Sequence, residues 1–86
     1  MQIFYSSKFA REYKKLPEKI KDLAEQRELV FRKNPFDTIL GAHKLHGKLK
    51  DFWSFAIGYN YRIIFEFKKD KGTVYFHSVG DHEIYQ

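Results

Sequence analysis

Two segments late in the chain, Tyr61–Phe67 and Thr73–Val79, read as strands, and the turn Lys69-Asp70-Lys71-Gly72 separates them. Both are rich in β-branched and aromatic residues, which suit a pleated, half-buried surface. Phe52–Gly58 alternates more loosely and predicts another strand, closed by a turn at Tyr59-Asn60. Toward the start the period lengthens. After a short opening strand at Gln2–Tyr5, Ser6 or Ser7 can N-cap a helix whose Phe9, Tyr13 and Leu16 share one face to about Lys15. Pro17 interrupts it and suits the first turn of a second helix, with Glu18 and Asp22 near the positive end of its dipole. Ile20, Leu23, Ala24, Val30 and Phe31 form that helix's apolar side. It should stop at Lys33-Asn34, because a residue before proline is pushed out of the α region. Pro35–Gly47 has no clear period and reads as a loop with one helical turn at Thr38–Gly41. The order β-α-α-β-β-β predicts a single α+β domain over residues 1–86. A small antiparallel sheet would pack one face against an N-terminal helical hairpin.

Composition narrows the class of protein. The chain has 86 residues, 43% of them hydrophobic, with nine Phe, six Tyr and one Trp, which argues for a folded domain with a modest core. Zero cysteines exclude a disulfide framework and any thiolate zinc site, and fit a reducing cytoplasm. Nothing near Met1 reads as a signal peptide and no apolar run reaches membrane-spanning length, so a soluble cytoplasmic protein is expected. The net charge of +5 is uneven: residues 1–50 hold 12 Lys/Arg against 6 Asp/Glu, while residues 51–86 hold 4 against 5. Such a surface attracts nucleic acid, an acidic protein segment or an anionic membrane, although exposed lysines can equally be a solvated face.

Candidate chemistry gathers at the ends of the last two strands. His82 and Tyr85 lie in the polar terminal segment Gly80-Asp81-His82-Glu83-Ile84-Tyr85. An imidazole with an ordinary pKa of about 6.5 exchanges a proton near neutral pH. Tyr85 can stack on a base or hold a phosphate; its plain alternative is an apolar plug. Arg62 interrupts an apolar strand, on the same face as Ile64 and Glu66. It either pairs with Glu66 or an acid on a neighbouring strand, or offers a fixed guanidinium that grips a phosphate at two points. The loop His43-Lys44-Leu45-His46-Gly47-Lys48-Leu49-Lys50 packs two histidines and three lysines into eight residues, a composition suited to a phosphate backbone. Two histidines without a third ligand do not make a metal set, and no metal or cofactor is expected. His77, Trp53 and Phe55 read as structural. No Gly-rich phosphate loop, serine elbow or zinc-finger spacing is present.

Taken in order, several stretches resemble the RelE/ParE superfamily of bacterial toxins, across essentially the whole chain. They are Ile3-Phe4-Tyr5-Ser6-Ser7-Lys8-Phe9, Leu16-Pro17, Asn34-Pro35, His43–Asp51, Tyr61-Arg62-Ile63-Ile64-Phe65 and Val79-Gly80-Asp81-His82. Within it the chain is most similar to the YafQ-like branch of RelE toxins. That resemblance implies a ribosome-dependent, metal-independent mRNA endonuclease held inactive by a cognate antitoxin, the complex meeting operator DNA through the antitoxin. It implies that His82 is a catalytic histidine, His43 a loop histidine of the site, Tyr85 a terminal aromatic and Arg62 a phosphate contact. Tyr61, Lys44, His46, Lys48 and Lys50 would meet RNA. The chain also departs from the pattern. Asn60 and Tyr61 replace an Asp-Trp pair, Ser78 replaces an arginine, and Trp53–Ile57 lacks paired lysines, leaving Lys48 and Lys50 to compensate from the loop. A ParE-like gyrase inhibitor and a non-catalytic partner-binding or RNA-binding module are the alternative readings.

Overall fold

A computed structural model describes residues 1–70 and 72–81. Its elements are β1 (Gln2–Tyr5), α1 (Ser7–Lys14), α2 (Glu18–Lys33), β2 (His43–Lys44), β3 (Trp53–Ile57), β4 (Tyr61–Phe67) and β5 (Thr73–Gly80), with short 3-10 turns at Thr38–Leu40 and Gly47–Leu49. The strands lie in the order β1-β5-β4-β3-β2. The α+β class and the helical hairpin hold, but the sheet has five strands and is mixed. β1 runs parallel to β5, with Ile3 opposite Val74, while the other neighbours are antiparallel. Helix and strand signals are local, whereas the β1–β5 pairing joins segments some seventy positions apart. The extra strand, His43–Lys44, is too short to show any period.

The helix ends follow from particular residues. Ser6 Oγ accepts the Phe9 N–H at 2.8 Å, capping α1, and donates to the His77 carbonyl at 2.7 Å. One buried hydroxyl therefore starts the helix and pins it to the edge of β5. Beyond Tyr5, β1 no longer covers that edge. There the Glu12 carboxylate accepts Lys8 Nζ at 3.0 Å, Ser78 Oγ at 2.8 Å and the Val79 N–H at 3.2 Å. A side chain from α1 thus satisfies a strand donor that would otherwise lack a partner. Asn34 closes α2 in extended geometry (φ −158°, ψ 102°), as its place before Pro35 requires.

Burial opposes ionisation of Glu12, but the hydrogen bonds from Lys8, Ser78 and Val79 and the Lys8 charge outweigh it, so its carboxyl sits below its usual value. A depressed folded-state pKa stabilises the fold above the unfolded value and loses that contribution as pH falls through the folded one. Glu12→Gln should therefore lower the urea midpoint at pH 7, and the gap from wild type should narrow as the buffer is taken below about 4.5. A gap independent of pH would rule out this coupling.

The core lies between the helices and one sheet face. Phe31 is fully buried at its centre, with ring centroids 5.0 Å from Phe55, 4.9 Å from Phe65 and 5.4 Å from Phe76. In the β3–β4 turn Gly58 has φ +64°, and an added Cβ would meet Leu23 Cδ2 at 3.1 Å. Left-handed backbone costs a non-glycine residue about 1–2 kcal/mol. Gly58→Ala should accordingly lower the thermal midpoint by roughly 4–16 °C, taking 4–8 °C per kcal/mol for a domain of this size. An unchanged melting curve would contradict it.

Candidate active face of the sheet

Alternation along β4 sends Ile63 and Phe65 into the core beneath the helices, and Arg62, Ile64 and Glu66 to the opposite face, which is open at Arg62 and Glu66 but buried at Ile64 between Ser54 and Ser78. Strand register then sets their neighbours. Ala56, Arg62 and Gly80 form one row across β3, β4 and β5. His43, Ser54, Ile64 and Ser78 form the next, reaching from β2 to β5. Arg62 is flanked by a methyl group on one side and by no side chain on the other. Glu66, its nearest acid along the strand, is ion-paired with Lys68 at 3.2 Å. Among the described residues Arg62 has no hydrogen-bond or ion-pair partner and is only half-exposed. A guanidinium in that position is a ready receptor for an anion.

Gly80, opposite Arg62, is two residues before His82. His82 and Tyr85 lie outside the described residues. His43 stands in the open-face row, exposed, with Nδ1 3.1 Å from the Gly41 carbonyl. A carbonyl only accepts, so this contact places the proton on Nδ1 and leaves Nε2 as the basic nitrogen of the neutral ring. Two strand spacings and a two-residue offset separate His43 from Arg62, roughly 12 Å between backbone positions.

The basic loop is divided. Lys44 pairs with Trp53 and so faces the side opposite His43. His46 leads the Gly47–Leu49 turn, and Lys48 and Lys50 are exposed on it and just beyond. Tyr61 packs against the core, on the face opposite Arg62. Trp53 does the same, its ring meeting Phe36, Phe65 and Phe67. At Ser78, Lys8 Nζ lies 2.8 Å from the hydroxyl, yet Glu12 balances its charge. Among the described residues Arg62 remains an uncommitted cation of this region. No three His, Cys, Asp or Glu side chains converge as a metal set among the described residues. No helix among them is long and apolar enough to cross a membrane.

Sequence reasoning missed two features of this face. Glu12 shows only its i,i+4 pairing with Lys8 locally, because its strand partners, Ser78 and Val79, are more than sixty positions away. The aromatic residues beside the site were legible only in part: Tyr75 and His77 alternate with the core residues Val74 and Phe76, but the contact of His77 with Phe52 depends on register.

A cleft of about 460 Å³ opens between α1 and α2, lined by Tyr5, Phe9, Tyr13, Ala24, Glu28 and Ile63 among others. Burial and the Glu28 carboxylate, which accepts the Tyr5 hydroxyl at 2.8 Å, push the Tyr5 phenol above its usual value. Mostly apolar, with Lys14, Glu25 and Glu28 in its lining, the cleft lies across the sheet from Arg62.

A five-stranded mixed sheet carrying a helical hairpin on one face is shared with several solved structures. A YoeB/ParE toxin from Agrobacterium tumefaciens superposes with a TM-score of 0.80 at 13% identity, over 95% of this chain and 99% of its own. YafQ from E. coli gives 0.75 at 19% identity, over 98% and 96%. RelE in the archaeal RelE–RelB complex of Pyrococcus horikoshii gives 0.74 at 13% identity, over 93% and 92%. At such identities the likeness is one of fold. No protein-family model and no curated protein sequence matches the chain.

Proposed function

We propose that this protein is the toxin of a type II toxin–antitoxin pair and a metal-independent endoribonuclease that cuts mRNA on the ribosome. The observation that carries this reading is Arg62, unpartnered among the described residues and held between Ala56 and Gly80 beside the strand that leads toward His82. The likeness to YafQ and to RelE of the RelE–RelB complex supports the class.

The reaction would be attack of an RNA 2′-hydroxyl on its adjacent phosphate. The 2′-oxygen-to-phosphorus bond forms and the phosphorus-to-5′-oxygen bond breaks, leaving a cyclic phosphate and a 5′-hydroxyl. Charge grows on the phosphate, a base removes the 2′ proton, and an acid returns one to the departing oxygen. In this proposal Arg62 grips the phosphate with paired N–H groups. His82 is the acid, His43 the base or an electrostatic helper through Nε2, and Tyr85 orients the substrate. His46, Lys48 and Lys50 draw in the backbone, while Lys44, on the other side of the strand, would not reach it. A cognate antitoxin would cover this basic face until released, and the pair would meet operator DNA through the antitoxin. The site of action would be the cytoplasm.

Inducible expression without antitoxin, followed by primer extension on a reporter message with and without translation, tests this. Cuts in codon register confined to translated message are expected. Growth arrest with intact message would replace this reading with gyrase inhibition, and harmless expression would leave a binding module.

A further inference from the structure

The open face carries more than Arg62. Phe52, at the mouth of β3, has its ring 4.9 Å from His77, and His77 lies 6.2 Å from Tyr75. Ile64 faces Ser78 while Phe65 faces Phe76, so His77 is the extra residue of a β-bulge and its ring joins this open-face group. Tyr75 is in register with Phe4 on β1, which is 49% exposed and makes no ring contact among the described residues. Lys68 Nζ sits 5.0 Å from the Tyr75 ring centroid, and Glu66, between Phe52 and Tyr75 on β4, is neutralised by that same lysine. Both helices pack on the other side of the sheet, so these rings contribute little to the core.

We infer that the row Phe52–His77–Tyr75–Phe4 is a stacking platform for the bases of single-stranded RNA passing Arg62. This deepens the nuclease reading and rests on RNA being the substrate. The row crosses from β3 to β1, three strand spacings or about 14 Å. Sheets that bind single strands stack two or three bases on such aromatic residues. Every base offers a π-face, so the platform takes sequence as it comes, and a cation at its margin adds attraction for the backbone. Charge favours the same occupant: the loop bearing Lys48 and Lys50 runs directly into Phe52, whereas the concavity on the other side of the sheet is rimmed by Glu25 and Glu28.

Fluorescence anisotropy with a short labelled single-stranded RNA, and with its duplex, tests the platform. Tyr75→Ala should weaken single-strand binding by about 5- to 150-fold, the worth of one base–aromatic stack. Tyr75→Phe should bind within about twofold of wild type, since it keeps the ring. Phe4→Ala removes an exposed ring without touching the core, and should also weaken the single strand and spare the duplex. Wild-type binding by both alanine variants would overturn the inference, as would equal losses for single strand and duplex. Cleavage of translated message, measured on the same proteins, separates the two claims. Ring-dependent binding with message left intact would keep the platform and remove the nuclease. Normal cutting by a Tyr75→Ala protein that binds as wild type would remove the platform alone.

Discussion

Arg62→Ala should lower the rate of message cleavage by about 10²–10³, the usual effect of removing one preorganised donor from a developing charge. Its thermal midpoint should stay close to wild type. The guanidinium has no hydrogen-bond or ion-pair partner among the described residues, so truncation orphans nothing there. Glu66 keeps its own partner in Lys68 at 3.2 Å. Surface changes of this kind stay within about 0.5 kcal/mol. Arg62→Lys should recover only part of the loss, because an ammonium supplies the charge without the planar two-point grip. Rates come from timed primer extension on a translated reporter, and stability from a melting curve of the same preparation. If Arg62→Ala cuts at the wild-type rate, the phosphate-clamp role is wrong. Should it melt far below wild type, Arg62 is structural and its activity loss carries no mechanistic meaning.

The second large effect concerns the fold. Phe31→Ala should cost about 3–5 kcal/mol, the range for emptying a fully buried aromatic site. Phe31 is 0% exposed and touches three other buried rings from three different strands, so no single neighbour can collapse into the space. A domain of this length holds only about 4–13 kcal/mol in all. The variant should therefore melt more than about 12 °C below wild type or fail to fold in the cell. Phe31→Leu keeps much of the volume and should fall between the two. A melting point within a few degrees of wild type for Phe31→Ala would mean the core closes over the gap and that α2 is less tightly held than these contacts indicate.

These two residues differ in how visible they are in the chain. Phe31 belongs to an apolar stripe of helical period, and a buried position follows from that alone. Arg62 interrupts an apolar strand, and the two-residue period already separates it from Ile63 and Phe65. Whether it would be paired or free was open, since Glu66 shares its face. The answer came from Lys68, which takes Glu66, and from the strand register that sets Ala56 and Gly80 beside the arginine.

What the amino-acid order determined by itself is everything governed by neighbours a few positions away. Ser6 starts α1, Pro17 starts α2, Asn34 ends it before Pro35, and the alternation of β4 and β5 divides core from open face. Each depends on backbone sterics, a local hydrogen bond or side-chain period. Tertiary structure alone decided what depends on distant partners. It set β1 parallel to β5, added the two-residue strand that lines His43 up with Ser54, and brought Glu12 to the bare edge of Val79. It also gathered Phe52, His77 and Tyr75 into one row. Such contacts form between segments tens of residues apart, where the favourable terms are burial and register across the whole sheet, and no local pattern encodes those.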